Sequence, residues 1–133
     1  MRIYIFFCTF AGSNIRLHIM TLHEYIEQHI LPRYAAFDKG HQRDHAESVI
    51  QESIALAKEH GADIDMAYTI AAFHDLGLEV NRELHHIHSG KILMADPILP
   101  QFFTKEQLCT MRDAVEDHRA SSKNAPRTIY GAI

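Results

Sequence analysis

The sequence predicts an all-α protein, a compact helical bundle of about five to six helices. Apolar residues recur at helical spacing in one segment after another, and pairs with capping-box spacing precede two of these segments. No strand alternation, internal repeat or low-complexity segment is evident. The chain has 133 residues, of which 47% are hydrophobic and 23% charged, so it is long enough for one domain with a packed core.

The first nineteen residues are expected to lie outside the bundle. The run MRIYIFFCTFAG places a short apolar stretch after one positive charge, as a signal peptide does. The run is too short to span a membrane, however, and SNIRLHIM offers no clear small-residue cleavage site. Thr21 and Glu24 have capping-box spacing directly after Met20. We therefore interpret Met20 as a possible true start and residues 1–19 as an N-terminal extension.

Three helices are predicted in the first half of the domain. The first has helical apolar spacing from Leu22 until Pro32 interrupts it, and RYAAFDKG resembles a turn-bearing connection. The second spans about 41–60, with Gly61 at its C-cap. The third, MAYTIAAFHDL, is apolar on nearly every side and is therefore expected to be central. Asp63 or Asp65 caps its start, and Gly77 ends it.

Two more helices follow in the second half. One is expected over about 82–94, and DPILP after it forms a turn or a short helix. Thr104 and Gln107 are a second capping pair, ahead of the amphipathic segment KEQLCTMRDAVEDHR. SSKNAPRT is a predicted loop, and IYGAI begins an element that the chain does not finish.

Composition limits the expected partners. The net charge is −4 with neutral histidines, and no basic stripe is present, so neither a nucleic-acid polymer nor a membrane is an expected partner. Cys8 and Cys109 are far apart and lack CxxC spacing, which disfavours a disulfide or a thiolate zinc site and fits a reducing, cytoplasmic compartment. Small phosphorylated molecules stay open as partners, and spacing does not indicate an oligomeric state.

Histidine is the residue type that stands out. The chain has eleven, and eight of them lie between His41 and His118. Any one of them is better explained as a surface or hydrogen-bonded core residue. Together they indicate a shared metal site, because four successive predicted helices each deliver a histidine beside charged or small residues. Imidazole with carboxylate suits zinc, manganese, iron, nickel or cobalt better than calcium. The residues are His41 and His45, the adjacent His74 and Asp75, the group His85, His86 and His88, and His118.

The order of these residues resembles the HD-domain superfamily of metal-dependent phosphohydrolases. Its signature is a lone histidine, a His-Asp pair and a later aspartate. Three segments are similar to family elements: HQRDHAESV, AAFHDLG, and HHIHSGKIL with its H-x3-G spacing. The likeness runs from Phe37 to the C-terminus. It implies a phosphohydrolase that acts on a small phosphomonoester or nucleotide through a metal-activated water, with one or two divalent transition metal ions (Mn, Fe, Ni, Co or Zn).

The resemblance also implies roles for individual residues. His45, His74 and Asp75 correspond to metal ligands, with Asp75 bridging where two ions bind. His86 and His118 correspond to ligands of the second ion, and phosphate binding is the alternative role for these two. The remaining histidines of these segments have no assigned role and are expected at the surface or beside ligands; they are His41, His85 and His88.

Charged residues near these segments complete the predicted site. Glu79, four residues after Asp75, is a candidate acid or base that would work with Asp75 in catalysis, and it is equally well explained as a surface glutamate. Candidates for binding phosphate are the cations that flank ligand segments, although each alone is at least as well explained as a solvated charge. They are Arg82, Lys91, Arg119 and Arg127.

The family's final aspartate has no counterpart, because no aspartate follows His118. Residues 20–133 are therefore predicted to form a metal-binding domain truncated at its C-terminus. Two other functions stay open. One is a di-iron oxygenase of the same fold, and the other is a metal- or nucleotide-binding module with impaired catalysis.

Overall fold

The computed structural model describes the backbone of residues 3–10, 14–36, 41–118 and 130, and the side chains of residues 20–36, 43–118 and 130. The predicted all-α bundle is confirmed, and a two-stranded hairpin precedes it. In chain order, the strands and α-helices of the described residues are β1 (Ile3–Phe10), β2 (Asn14–Thr21), α1 (Leu22–Tyr25), α2 (His41–His60), α3 (Ile64–Phe73), α4 (His85–Ala95) and α5 (Lys105–Asp117).

The N-terminal hairpin corrects the expectation that the sequence contains no strand pattern. β1 and β2 are antiparallel, in a register that pairs Ile3 with Thr21 and Phe10 with Asn14. The first strand, IYIFFCTF, is a continuous apolar and aromatic run, so it has strand propensity but none of the two-residue alternation that marks a half-buried strand. Met20 near the end of β2 is 2% exposed and belongs to the core. The division into an N-terminal extension, residues 1–19, and a domain that starts at Met20 stays a prediction.

The first helical segment continues through Pro32, where the sequence predicted an interruption. Proline lacks an N–H group and crowds the carbonyl four residues before it, so regular α-geometry is not kept around it. The helix type instead changes twice, from α to π and then to 3-10. Tyr34 lies in the 3-10 helix and is part of the core, with 0% exposure. The successive pieces are α1, a π-helix at Ile26–Ile30 and a 3-10 helix at Leu31–Ala36.

Helix α3 is the central element, as predicted. Asp63 rather than Asp65 caps it, because the Asp63 side chain accepts a hydrogen bond from the Met66 amide at 3.0 Å. Gly61 has φ +70°, the left-handed conformation expected of a C-cap glycine after α2. Helix α3 contacts α2, α4 and α5, and its buried residues are Met66, Ala67, Tyr68, Thr69, Ala71, Ala72 and Phe73.

Helix α4 starts at His85, later than the predicted start near Arg82. The side chain of Asn81 accepts hydrogen bonds from the amides of Glu83 and Leu84, at 2.8 and 3.0 Å. These bonds close a turn ahead of the helix, since an asparagine oxygen can replace the helical carbonyl acceptors. The first helical residue is therefore a histidine.

Helix α5 begins as the capping pair predicted. The Thr104 hydroxyl accepts from the Gln107 amide at 3.2 Å, and the Gln107 side chain accepts from the Thr104 amide at 2.9 Å. Before it, DPILP forms a 3-10 helix at Leu99–Gln101. None of the helices that the structure describes is both long enough and apolar enough to cross a bilayer.

Candidate metal centre

The His74-Asp75 pair lies just beyond the end of α3, not within its last turn. His74 keeps helical backbone angles as the C-cap, whereas Asp75 leaves them with φ −111° and ψ 7°. The two residues are nevertheless almost fully buried, at 7% and 8% exposure. A buried pair at a helix end needs other groups to hold the backbone, because the last carbonyls and the following amide have no helical partner there.

The hydroxyl of Tyr34 supplies those partners. It donates to the carbonyl of Ala72 at 2.6 Å and accepts from the amide of Asp75 at 3.3 Å. Burial, followed by the negative charge of Asp75, raises the pKa of Tyr34 far above its usual value, so the hydroxyl stays protonated and able to donate. Tyr34 therefore fixes the turn on which His74 and Asp75 stand.

Replacing Tyr34 with phenylalanine is expected to lower the free energy of unfolding by about 1–3 kcal/mol, because two buried backbone groups lose their partner while the ring is kept. Urea unfolding of the metal-free protein measures this loss. The control is Tyr130→Phe, which removes a part-buried hydroxyl bonded to the Asp63 amide at 3.0 Å. Equal effects of the two variants would contradict the role assigned to Tyr34.

Four histidines surround the carboxylate of Asp75, two at each oxygen. Oδ2 lies 3.0 Å from Nε2 of His74 and 3.7 Å from Nε2 of His45. Oδ1 lies 3.3 Å from Nε2 of His85 and 3.6 Å from Nε2 of His118. Nε2 of His85 and Nε2 of His118 are themselves 3.2 Å apart. Asp75 is thus shared by two separate histidine pairs, one at each oxygen.

The backbone fixes the orientation and tautomer of three of these rings. In each ring Nδ1 bonds to the backbone carbonyl three residues earlier, and because a carbonyl only accepts, Nδ1 carries the hydrogen. A neutral imidazole then presents a lone pair at Nε2, the atom that faces Asp75. The pairs are His74 with Ala71 at 2.5 Å, His85 with Arg82 at 2.9 Å, and His118 with Val115.

This arrangement brings electron pairs together. In these three rings the Nε2 lone pair and the carboxylate oxygen are both acceptors, and acceptors 3.0–3.6 Å apart repel each other unless a proton or a metal ion lies between them. His45 makes the fourth contact, at 3.7 Å. The chemistry of the donor set therefore fits a bound cation. Every one of these four contacts has the carboxylate of Asp75 on one side, so that carboxylate is the centre of the cluster.

Protonation shifts agree with this description. Burial opposes the charge on Asp75, but hydrogen bonds from His118 and His74 and their positive charges outweigh it and lower the pKa of Asp75 well below its usual range. Burial also lowers the pKa of His74, yet the hydrogen bond and charge of Asp75 and the bond to Ala71 leave its pKa raised overall. A raised pKa means that a proton competes with a metal ion for the ring of His74.

The cluster satisfies the spacing requirement for two metal ions. Two sets of ligand atoms lie within 4.8 Å of one another: His45, His74 and Asp75, and Asp75, His85 and His118. Ligand atoms about 2.1 Å from a tetrahedral ion stand about 3.4 Å apart, which is close to the separations measured from Asp75. Imidazole nitrogen with carboxylate oxygen suits zinc, iron, nickel, cobalt or manganese. The structure thus contains a candidate metal-binding cluster.

Four of the five predicted ligands meet in this cluster, namely His45, His74, Asp75 and His118. The fifth, His86, belongs to neither set of ligand atoms among the described residues, and its neighbour His85 takes the place beside Asp75. Successive helical residues point about 100° apart, so a shift of one residue decides which ring faces inward. The H-x3-G spacing pointed to His86, and no signal in the sequence indicated that His85 would face Asp75 instead.

Gly77 and Ser89 hold the first turn of α4 against Asp75. The Gly77 amide donates to Ser89 Oγ at 2.7 Å, in a fully buried bond. A Cβ atom on Gly77 would lie only 2.0 Å from the carbonyl oxygen of His85. The prediction that Gly77 ends α3 is therefore corrected: α3 ends at Phe73, and Gly77 is small because α4 passes against it.

Glu79 is engaged elsewhere. Its carboxylate accepts two hydrogen bonds from the guanidinium of Arg33, from Nε at 3.2 Å and from the terminal nitrogen at 3.1 Å. In the part of the chain that the structure describes, Glu79 is in neither set of ligand atoms. A carboxylate held in this bidentate pair is a poor candidate for the predicted acid or base. The structure favours the alternative of a surface glutamate.

The phosphate-binding role of the four cations stays a prediction. Arg82 and Lys91 are exposed, and Arg82 contributes through its carbonyl, which accepts from His85. Arg119 and Arg127 lie outside the described residues, as does the side chain of His41. Of the other unassigned histidines, His88 belongs to neither set of ligand atoms.

The fold and the cluster define an all-α protein with a candidate metal centre built around one shared aspartate. Comparisons with protein-family models, with curated proteins and with solved structures found no match to this chain.

Proposed function

We propose that the chain is a metal-dependent phosphohydrolase of the HD-domain type that hydrolyses a small phosphomonoester or nucleotide. The observation that carries the proposal is the shared carboxylate, because Asp75 presents one oxygen to His45 and His74 and the other to His85 and His118. His45, His74 and Asp75 follow one another along the chain in the order that resembles the HD-domain signature.

The charge of the cluster favours an anionic substrate. Four neutral imidazoles and one carboxylate offset only a small part of the charge of two divalent cations. The remaining positive charge attracts a phosphate dianion and stabilises the charge that develops during its transfer. The proposal therefore does not require arginine or lysine at the cluster.

The protein's own contribution is to hold the cluster rigidly. Tyr34 fixes the turn that carries Asp75, and backbone carbonyls orient the rings of His74, His85 and His118. Ligands that are already oriented need no rearrangement when charge shifts in the transition state. A divalent metal ion bound there would polarise a phosphoryl oxygen and make a water molecule a better nucleophile near neutral pH.

A di-iron oxygenase is the second candidate, and the histidine-rich donor set favours it. Asp75 is the one carboxylate in the two sets of ligand atoms found among the described residues, and imidazole is a good ligand for iron. The third candidate, a binding module with impaired catalysis, rests on the same scarcity of carboxylates. Metal identity and oxygen consumption separate these candidates from the phosphohydrolase.

The test is phosphate release by protein loaded separately with manganese, nickel, cobalt, iron or zinc. A panel of phosphomonoesters and nucleotides at neutral pH should include at least one substrate that is hydrolysed. His74→Ala is expected to reduce the rate by at least about 100-fold, since it removes a ligand. His60→Ala, at the exposed end of α2, is the matched control and should keep full activity.

Three other outcomes would contradict the proposal. Equal activity of the His74→Ala variant would assign the hydrolysis to a contaminant. Oxygen consumption by the iron-loaded protein, without phosphate release, would favour the oxygenase. Stoichiometric metal binding with neither reaction would favour the binding module.

A further inference from the structure

A cavity of about 160 Å³ lies directly beside the candidate metal centre, between α2, α3 and α5. The rings of His74 and His118, two members of the cluster, also line the cavity. These rings meet edge to face, with centroids 5.2 Å apart. The cavity therefore adjoins the cluster directly, and a group attached to a phosphate at the cluster lies next to it.

The remaining walls of the cavity are mainly apolar. Val49 of α2 and Ile70 of α3 contribute branched side chains, and three buried alanines leave the open space between them: Ala67, Ala71 and Ala114. These alanines belong to α3 and α5 and have no polar side-chain atom. Such a surface stabilises a ligand mainly through the burial of apolar area.

Apart from His74 and His118, none of the described residues that line the cavity has a side chain that carries a charge near neutral pH. Its other polar groups are the hydroxyls of Ser53 and Tyr130. The Tyr130 hydroxyl accepts a hydrogen bond from the Asp63 amide at 3.0 Å. An ionised group placed here would lose its hydration without gaining a counter-charge, which is costly. The chemistry of the lining thus selects an uncharged ligand.

The volume of the cavity indicates the size of the group that fits inside it. An apolar cavity of about 150 Å³ accommodates one benzene molecule. A volume of about 160 Å³ therefore holds a single ring or a short branched aliphatic group. A nucleoside has a base and a ribose and exceeds this volume.

We infer that the cavity binds the alcohol portion of the substrate, and that the substrate is a phosphomonoester of a small, uncharged, largely apolar alcohol, not a nucleotide. The inference rests on the proposed function and narrows its substrate class. In the reaction, the water oxygen forms a new bond to phosphorus and the ester P–O bond breaks. The alcohol takes up a proton derived from that water and leaves through the cavity, while phosphate remains at the cluster.

The experiment compares benzyl phosphate with adenosine 5′-monophosphate on the metal-loaded protein. The kcat/KM for benzyl phosphate is expected to exceed that for the nucleotide by at least about tenfold, since one ring fits and the nucleoside does not. Ser53→Leu projects a larger side chain into the opening from a half-buried position. It should reduce kcat/KM for benzyl phosphate by about tenfold or more and leave inhibition by inorganic phosphate unchanged.

Two further variants make the test independent of misfolding. Val49→Ala enlarges the cavity, so it should raise kcat/KM for naphthylmethyl phosphate relative to benzyl phosphate. Ala55→Leu adds the same side chain as Ser53→Leu on the exposed face of the same helix, and should leave both substrates unaffected.

The outcomes separate this inference from the proposed function. Hydrolysis of both esters with similar kcat/KM, unchanged in Ser53→Leu, would overturn the inference and leave the phosphohydrolase standing. Failure to hydrolyse any phosphomonoester would overturn both together. Selective loss of benzyl phosphate hydrolysis in Ser53→Leu, with phosphate inhibition retained, would support the inference.

Discussion

Replacing Asp75 with asparagine is expected to abolish metal binding at both candidate positions, whereas replacing any one of the surrounding histidines is expected to abolish it at only one. The carboxylate presents Oδ2 to one histidine pair and Oδ1 to the other. Asparagine keeps the size of the side chain but removes its charge and turns one oxygen into a donor. The change therefore affects both sets of ligand atoms at once, and we expect metal affinity to fall by at least about 100-fold.

Metal content per chain, measured by elemental analysis after dialysis, distinguishes these cases. His45→Ala should lose one ion and keep the ion near Oδ1, while His85→Ala should lose the other. His86→Ala is the most informative control, because it lies one residue from His85 and in neither set of described ligand atoms. If His86→Ala lost an ion and His85→Ala kept both, the assignment of the second histidine pair would be wrong.

Replacing Gly77 with alanine is expected to be the most destabilising single-methyl change in the described domain. The new Cβ would stand 2.0 Å from the His85 carbonyl oxygen and 2.7 Å from the Ser89 amide nitrogen. Both obstacles are backbone atoms, which cannot rotate away, so α4 would have to shift. We expect a loss of about 3 kcal/mol or more in the free energy of unfolding.

Two other glycines provide graded controls in the same urea-unfolding experiment. Gly61→Ala meets no atom within 4 Å but keeps φ +70°, so about 1–2 kcal/mol of backbone strain is expected. Gly90→Ala meets only the side chains of Arg112 and Glu116, at 3.2 Å or more, and these can move. A Gly77→Ala variant as stable as either control would show that the first turn of α4 is not fixed against the end of α3.

Local features of the fold were predictable because their causes are local. The capping box at Thr104 and the left-handed Gly61 each depend on residues within one turn, and both have the predicted form. The predicted start of α4 was too early, because the Asn81 side chain closes a turn ahead of the helix. Strand β1 was not predicted, because its continuous apolar run lacks the alternation of a half-buried strand.

The candidate site was predictable to the level of its residue types but not of its geometry. His45, His74, Asp75 and His118 could be selected because their order along the chain carries a resemblance. The choice of His85 depends on the rotation of α4 against Gly77, and Glu79 is held by Arg33, which lies 46 residues away. The bond between Tyr34 and the Asp75 amide spans 41 residues. Contacts over such distances arise from packing and leave no pattern in a single sequence.

The four histidines around Asp75 differ in how exposed their side chains are. The side chain of His45 is 56% exposed, whereas those of His74, His85 and His118 are 9%, 20% and 25% exposed. Immobilising an exposed side chain costs about 0.5–1.5 kcal/mol of rotamer entropy, a cost that a buried ring has already met on folding. For the proposed metal centre we therefore expect sequential filling, in which the position between His85 and His118 fills at a lower metal concentration than the position that depends on His45.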